Sequence, residues 1–202
     1  MLDVHKIVMM INWFARQSHG KSVDKLELLK LVYMADRYHL RKYGRLISGD
    51  TYYAMQLGPV PSVAKMICDA RDNLTAEQRE IADGYLEVDG NDIHSKKASC
   101  KNYFCESELE ALQRTLWKAQ LVRRSGESLP DFTHHFPEWK SKKRFLKTPN
   151  SKRKLDPVDF FKELPKEDAS CEYCPASPRL LISNREKFLE RRALEALIGT
   201  AK

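Results

Sequence analysis

Asp36 is a carboxylate in an apolar place. It falls between Tyr33 and Leu40 on a stripe that also carries Leu26, Leu29 and Tyr43 at helical spacing. A charge facing a core is costly unless it is paired or hydrogen-bonded. His39 stands one turn on, within reach as a partner. An Asp–His pair could serve acid–base chemistry, but no nucleophile or metal-ligand set accompanies it in the sequence. The structural reading is the stronger: Asp36 accepts hydrogen bonds from the amides of a loop packed over its helix, around Gly49 or Gly58, because buried polar groups are as a rule satisfied.

Other residues have the types that metal or redox chemistry uses. Cys171-x-x-Cys174 has zinc-ligand or redox spacing, and Cys100 with Cys105 could complete a four-thiolate site. A second CxxC at a usual distance is missing, as is the βαβ context of a thioredoxin-type centre, so loop thiols are expected and no metal or cofactor is assigned. His134-His135 resembles a ligand pair, yet adjacent helical residues point in different directions. One of them making a core hydrogen bond is preferred. The sequence holds no Gly-rich phosphate loop, no GxSxG and no HExxH.

From Glu138 to Lys154 there are eight basic residues (Lys140, Lys142, Lys143, Arg144, Lys147, Lys152, Arg153 and Lys154) and one acid, a surplus equal to the net charge of +7 for the whole chain. Such a run binds phosphate backbones through counterion release. It would equally steer an acidic protein partner. A solvated linker is the third reading. Aromatic interleaving is thin, Trp139 and Phe145 only, so nucleic-acid binding through these residues is expected to be weak and non-specific.

The elements that position these residues can be read in order. Residues 3 to 17 form a first helix with Ile7, Met10, Ile11 and Phe14 on one face, and residues 18 to 21 a turn. The central helix begins at Lys25, where Asp24 and Glu27 suggest a capping box and Val23 and Leu28 a hydrophobic staple. Gly44 suits a left-handed cap at its end. Gly58-Pro59-Val60-Pro61 is stiff and extended, with two backbone donors removed. Ser62 then caps a helix ending near Asp72-Asn73. Thr75 caps a short helix stopped by Gly84, and residues 85 to 94 make a small hairpin around Asp89-Gly90-Asn91. Ser107 opens a helix carrying Leu109, Leu112, Leu116 and Trp117; Ser128 to Phe136 is another short one. Beyond Asp156-Pro157 come a short helix over VDFFKEL, a loop from Pro165 to Pro178, and a last helix capped by Ser183-Asn184.

A chain of 202 residues suits one domain with an extension, or two small ones. No run of eighteen apolar residues could span a membrane, and no signal peptide is read at the start. Five cysteines without export point to reduced thiols in a cytoplasm.

The stretch from Lys25 to Ser62 also carries a family likeness. Lys25-Leu26, Leu28-Leu29-Lys30-Leu31, Tyr33-Met34-Ala35-Asp36, Tyr43-Gly44-Arg45, Ser48-Gly49-Asp50 and Ala54-Met55-Gln56-Leu57-Gly58-Pro59-Val60-Pro61-Ser62 resemble the Panacea domain of SocA-like antitoxins and GepA-like phage-associated proteins. The likeness resumes between Ser128 and Trp139, in LPDFTHHFPEW. Ser48 stands where threonine is usual, which keeps the hydroxyl. The resemblance implies an antitoxin, not an enzyme, that binds and neutralises a partner toxin, either directly or as an adaptor delivering it to the ClpXP protease.

The expected fold is mainly α: a compact helical domain over 1–139 with a small β-hairpin, a basic linker over 140–155, and a helical C-terminal extension over 156–202. Tyr52, Tyr53, Met55, Gly58, Pro59, Val60 and Pro61 are expected to lie at or support the partner surface, because rigid backbone and tyrosine lose little entropy on binding. Asp36, His39, Gly49 and Asp50 are expected to hold that surface in place.

Overall fold

Asp3 starts the first helix by accepting a hydrogen bond from the Lys6 amide at 2.9 Å, and α1 runs over Val4–Gln17. The computed structural model describes residues 2–69, 74–98 and 103–199. The fold is mainly helical. Strand β1 (Ser22–Asp24) leads straight into α2 (Lys25–Tyr43), whose N-terminal amides at Leu26 and Glu27 bond the Asp24 carboxylate. The reciprocal half of a capping box is missing: Glu27 instead pairs with Arg123, and Lys25 N–H donates to the Asn91 carbonyl. Gly44 ends α2 at φ 73°, a left-handed turn that glycine adopts without strain.

α2 is the axle of the molecule. From Leu28 to Arg41 every residue is buried, polar ones included. A helix covered on all sides needs partners all round. They are α1, α5 (Glu106–Arg124), α6 (Leu129–Thr133), α8 (Pro178–Gly199) and the strand β3 (Gly58–Pro61).

Two small antiparallel sheets flank it. One has the order β1-β5-β4, where β4 (Leu86–Asp89) and β5 (Asp92–Ser95) form the expected hairpin and β1 adds a third strand with Val23 opposite Ile93. The other was not anticipated. Its order is β3-β2-β6, from β2 (Tyr52–Met55), β3 (Gly58–Pro61) and β6 (Arg153–Lys154). The stiff Gly-Pro-Val-Pro segment is thus an edge strand, the place where a strand tolerates proline.

Several boundaries differ from expectation for local reasons. α3 (Ser62–Cys68) is capped by Asp50, which accepts from the amides of Val63 and Ala64, so Ser62 is a helical residue rather than the cap. The expected end of this helix, Asp72-Asn73, lies outside the described residues. α4 (Ala76–Tyr85) runs through Gly84, and its capping box pairs Thr75 with Gln78. α5 begins at Glu106 after Cys105, one residue before Ser107. Residues Pro157–Phe161 and Lys166–Cys171 are 3-10 turns. α8 starts at Pro178, a residue preorganised for a first helical position, which places Ser183 and Asn184 inside the helix rather than at its cap. α7 (Pro137–Lys143) and β6 place both ends of the basic run in regular structure.

Candidate functional site

The β2–β3 hairpin is held from beneath by buried polar side chains. Asp36 accepts from the amides of Ile47 and Ser48 and from the hydroxyls of Ser48 and Tyr52. Burial pushes its carboxyl pKa up, and these four donors pull against that shift. Asp50 holds the other end of the loop through Thr51, Val63 and Ala64; burial raises its pKa to about 6, opposed by the same amides. Gly49 is the left-handed residue between the two anchors, at φ 65°. The third anchor is Lys30, fully buried, whose ammonium donates to the Pro59 carbonyl at 2.9 Å and whose pKa burial lowers to about 7.

Gly58 is where these parts meet. It sits at φ +99°, and a Cβ there would lie 2.6 Å from Thr133 Oγ1 and 3.1 Å from Lys30 Nζ. Only glycine fits this approach. The later segment closes over the hairpin: Trp139 Nε1 donates to the Met55 carbonyl at 2.9 Å, and its ring stacks on His134 with centroids 3.7 Å apart. Glu138, fully buried, binds Arg37 at 2.9 Å and accepts from the Tyr33 hydroxyl.

His39 does not pair with Asp36. Its Nδ1 donates to the Arg45 carbonyl at 2.8 Å and its Nε2 accepts from the Ser107 hydroxyl at 3.0 Å, an arrangement for a neutral ring, with the pKa lowered by burial to about 4. Both nitrogens are occupied in joining the Arg45 loop to α5, and neither is directed at a reacting group. Of the histidine pair, His135 bridges Asp168 and Glu127.

The surface residues divide sharply. Tyr52, Gly58, Pro59, Val60 and Pro61 are buried in the packed side of the hairpin. Tyr52 in particular points inward, its hydroxyl on Asp36. Tyr53 and Met55 alternate to the other face and are half-buried, and Leu57 at the turn is 58% exposed. Sequence reasoning quoted Leu57 only as part of a motif. Its signal is positional, an apolar residue at the tip of a two-residue turn.

The basic residues lie around this face. Lys154 is opposite Tyr53 in the sheet, and Lys152 sits 5.4 Å from the Tyr53 ring centroid. Lys143 lies over Trp139 and Arg144 over Phe145. Lys140 is committed elsewhere, in an ion pair with Asp168.

A separate cleft of about 530 Å³ lies between the 45–52 loop and α8, lined by residues such as Arg45, Asp50, Lys154, Phe188, Arg191 and Glu195. Its charges are of both signs, and Glu108 on its wall is already bound by Lys6 and Arg45. Cys105, Cys171 and Cys174 are free thiols, Cys68 is buried, and Cys174 is buried against the Tyr38 carbonyl; Cys100 lies outside the described residues. Among the described residues no group of three His, Cys, Asp or Glu could hold a metal ion, and no helix is long and apolar enough to cross a membrane.

The anchored hairpin and the segment that closes over it both fall inside a match to the family described as antitoxin SocA-like, Panacea domain, which covers residues 28–140, more than half of the chain. The chain belongs to that family. No curated protein and no solved structure matches it. The match embraces all three anchors, Lys30, Asp36 and Asp50, together with Gly58, Thr133 and Trp139. Membership places the chain in toxin–antitoxin biology in general terms and in a family that is typically non-enzymatic. β6 and α8 come from chain beyond the matched region.

Proposed function

We propose that this protein binds and neutralises a cognate protein toxin, using the outer face of the β2–β3 hairpin. The observation that carries the reading is the contrast between the two faces of one small sheet. The inner face is fixed by three buried anchors, while the outer face leaves Tyr53, Met55 and Leu57 accessible on a backbone with little freedom to lose. Such preorganisation favours tight association, and membership of an antitoxin family supplies the class of partner. Neutralisation follows either from occlusion by direct binding or from delivery of the bound toxin to ClpXP.

The test expresses the neighbouring gene product from an inducible promoter with and without this protein and scores growth. Rescue that Tyr53→Ala with Leu57→Ala abolishes, while the melting temperature holds, supports the function and the surface together. Rescue with unchanged toxin abundance identifies direct neutralisation, and rescue that needs ClpX identifies the adaptor route. If no neighbouring or co-purifying protein is toxic in the native host, the proposal fails.

A further inference from the structure

The outer face of the second sheet has an apolar centre, and a dense run of cations is attached to its strands. Lys142, Lys143, Arg144, Lys147, Lys152 and Lys154 are drawn from one run of thirteen residues, and none has a carboxylate within ion-pair distance among the described residues. Other cations of the molecule do meet carboxylates, as with Lys6–Glu108, Lys42–Glu110 and Arg123–Glu27. The run begins in α7, beside Trp139 and the Met55 carbonyl, and ends in β6, beside Tyr53. Both ends are therefore fastened to the same short strand, β2, with Lys152 and Lys154 beside Tyr53 on its outer face.

Two chemistries could neutralise such a run: a phosphate backbone or a carboxylate-rich protein surface. The centre of the face separates them. Met55 and the 58% exposed Leu57 offer a nucleic acid neither hydrogen bonds nor a stacking plane. The aromatic rings are already engaged. Tyr53 carries Lys152 at 5.4 Å, Phe145 carries Arg144 at 4.6 Å, and Trp139 carries Lys143 at 5.8 Å and His134 at 3.7 Å. Single-stranded nucleic acids are held by successive stacking rings, whereas here the few rings stand singly, each against a cation. A tyrosine–methionine–leucine centre with charged residues beside it is the composition of a protein–protein contact.

We infer that this face docks onto an acidic protein surface, with Leu57 and Tyr53 entering an apolar depression and the lysines of the 142–154 run meeting carboxylates around it. This names the chemistry of the partner proposed above and rests on that reading. Charge complementarity of this kind raises the association rate and its sensitivity to salt, while the apolar centre governs the dissociation rate.

The experiment measures binding of the full-length chain to the purified neighbouring gene product at low and at physiological salt, with melting temperature followed in parallel. Lys152→Glu with Lys154→Glu is expected to weaken binding roughly tenfold or more and to reduce the salt dependence. Replacing carboxylates of the toxin by lysine should restore binding to that variant alone. Wild-type affinity in the charge-reversed variant overturns the inference while leaving the antitoxin reading intact, provided growth rescue persists. If no neighbouring protein is toxic, the antitoxin reading falls by itself. A photo-crosslinking residue at position 57 in the native host then decides the inference: a crosslinked protein with an acidic surface, lost in the charge-reversed variant, supports it. A nuclease-sensitive crosslink, a basic partner, or no crosslink at all overturns it.

Discussion

Asp36 and Lys30 show how two buried ionisable groups on one helix can hold a loop at opposite ends. Replacing Asp36 by alanine strands two amides and two hydroxyls at once. Chemical denaturation should register a loss of about 3 kcal/mol or more, since each unsatisfied buried group costs about 1–3 kcal/mol. Any toxin binding should fall with stability. A variant that keeps its stability but loses binding would move Asp36 from support to contact. Lys30 makes a different prediction. Its folded pKa, near 7, lies below the ordinary 10.5, so between those values the unfolded chain binds the extra proton. Stability therefore rises with pH across that window, and below about 7 the contribution is at its lowest. Lys30→Met should flatten the slope of unfolding free energy between about pH 7 and 9. An unchanged slope would mean that the ammonium reaches water. Asp36 was legible as an anchor because an acid on an apolar stripe demands donors. Lys30 was not, because a lysine on a helix ordinarily snorkels to solvent.

At the scale of elements, the second sheet exists because Gly58 permits a close approach. Gly58→Ala would need a positive φ of a residue with a Cβ, and that Cβ would meet Thr133 and Lys30. The backbone strain alone costs about 1–3 kcal/mol, and the clash adds to it. The melting temperature should drop, and β2–β3 amides should lose hydrogen-exchange protection before those of α5. Equal loss of protection throughout would show that the hairpin is not a separable unit. Beyond the β4–β5 hairpin, the strands of the two short sheets were hard to see in advance. β1 has three residues squeezed between a turn and a helix cap, and β6 is an Arg-Lys pair inside a charge run, so neither shows alternation. Two prolines in β3 argued for stiffness and against pairing, and the edge position reconciles them. The long helices were readable because their apolar spacing is sustained, and their ends were less so, since Asp50 caps α3 from a remote position.

At the scale of the whole molecule, the C-terminal part is tied into the matched domain. Arg41 donates to the carbonyls of Phe160 and Lys162 and pairs with Glu172 at 2.8 Å, Tyr173 donates to the Met34 carbonyl, and Asn184 donates to the Arg41 carbonyl. Glu172→Ala leaves the Arg41 guanidinium without its counter-charge and Arg37 with Glu138 alone; because Glu172 is partly exposed, the loss is about 1–3 kcal/mol. Denaturant unfolding should show that loss in one cooperative transition, whereas a separate early transition would mark the extension as independent. None of this was visible in the sequence, because Arg37, Arg41 and Glu172 are individually unremarkable surface-type residues whose pairing spans more than a hundred positions. That span has a consequence for synthesis. A chain emerges from the ribosome with its N-terminus first, so α2 is made long before Glu138 and Glu172. Until they arrive, its guanidiniums favour water over the interior, and the core around them cannot close. A translation product that stops short of the final quarter has Glu138 but lacks Glu172 and the Phe160 and Lys162 carbonyls, so Arg41 has no partners to close on and the product is expected to be cut by proteases faster than the finished chain.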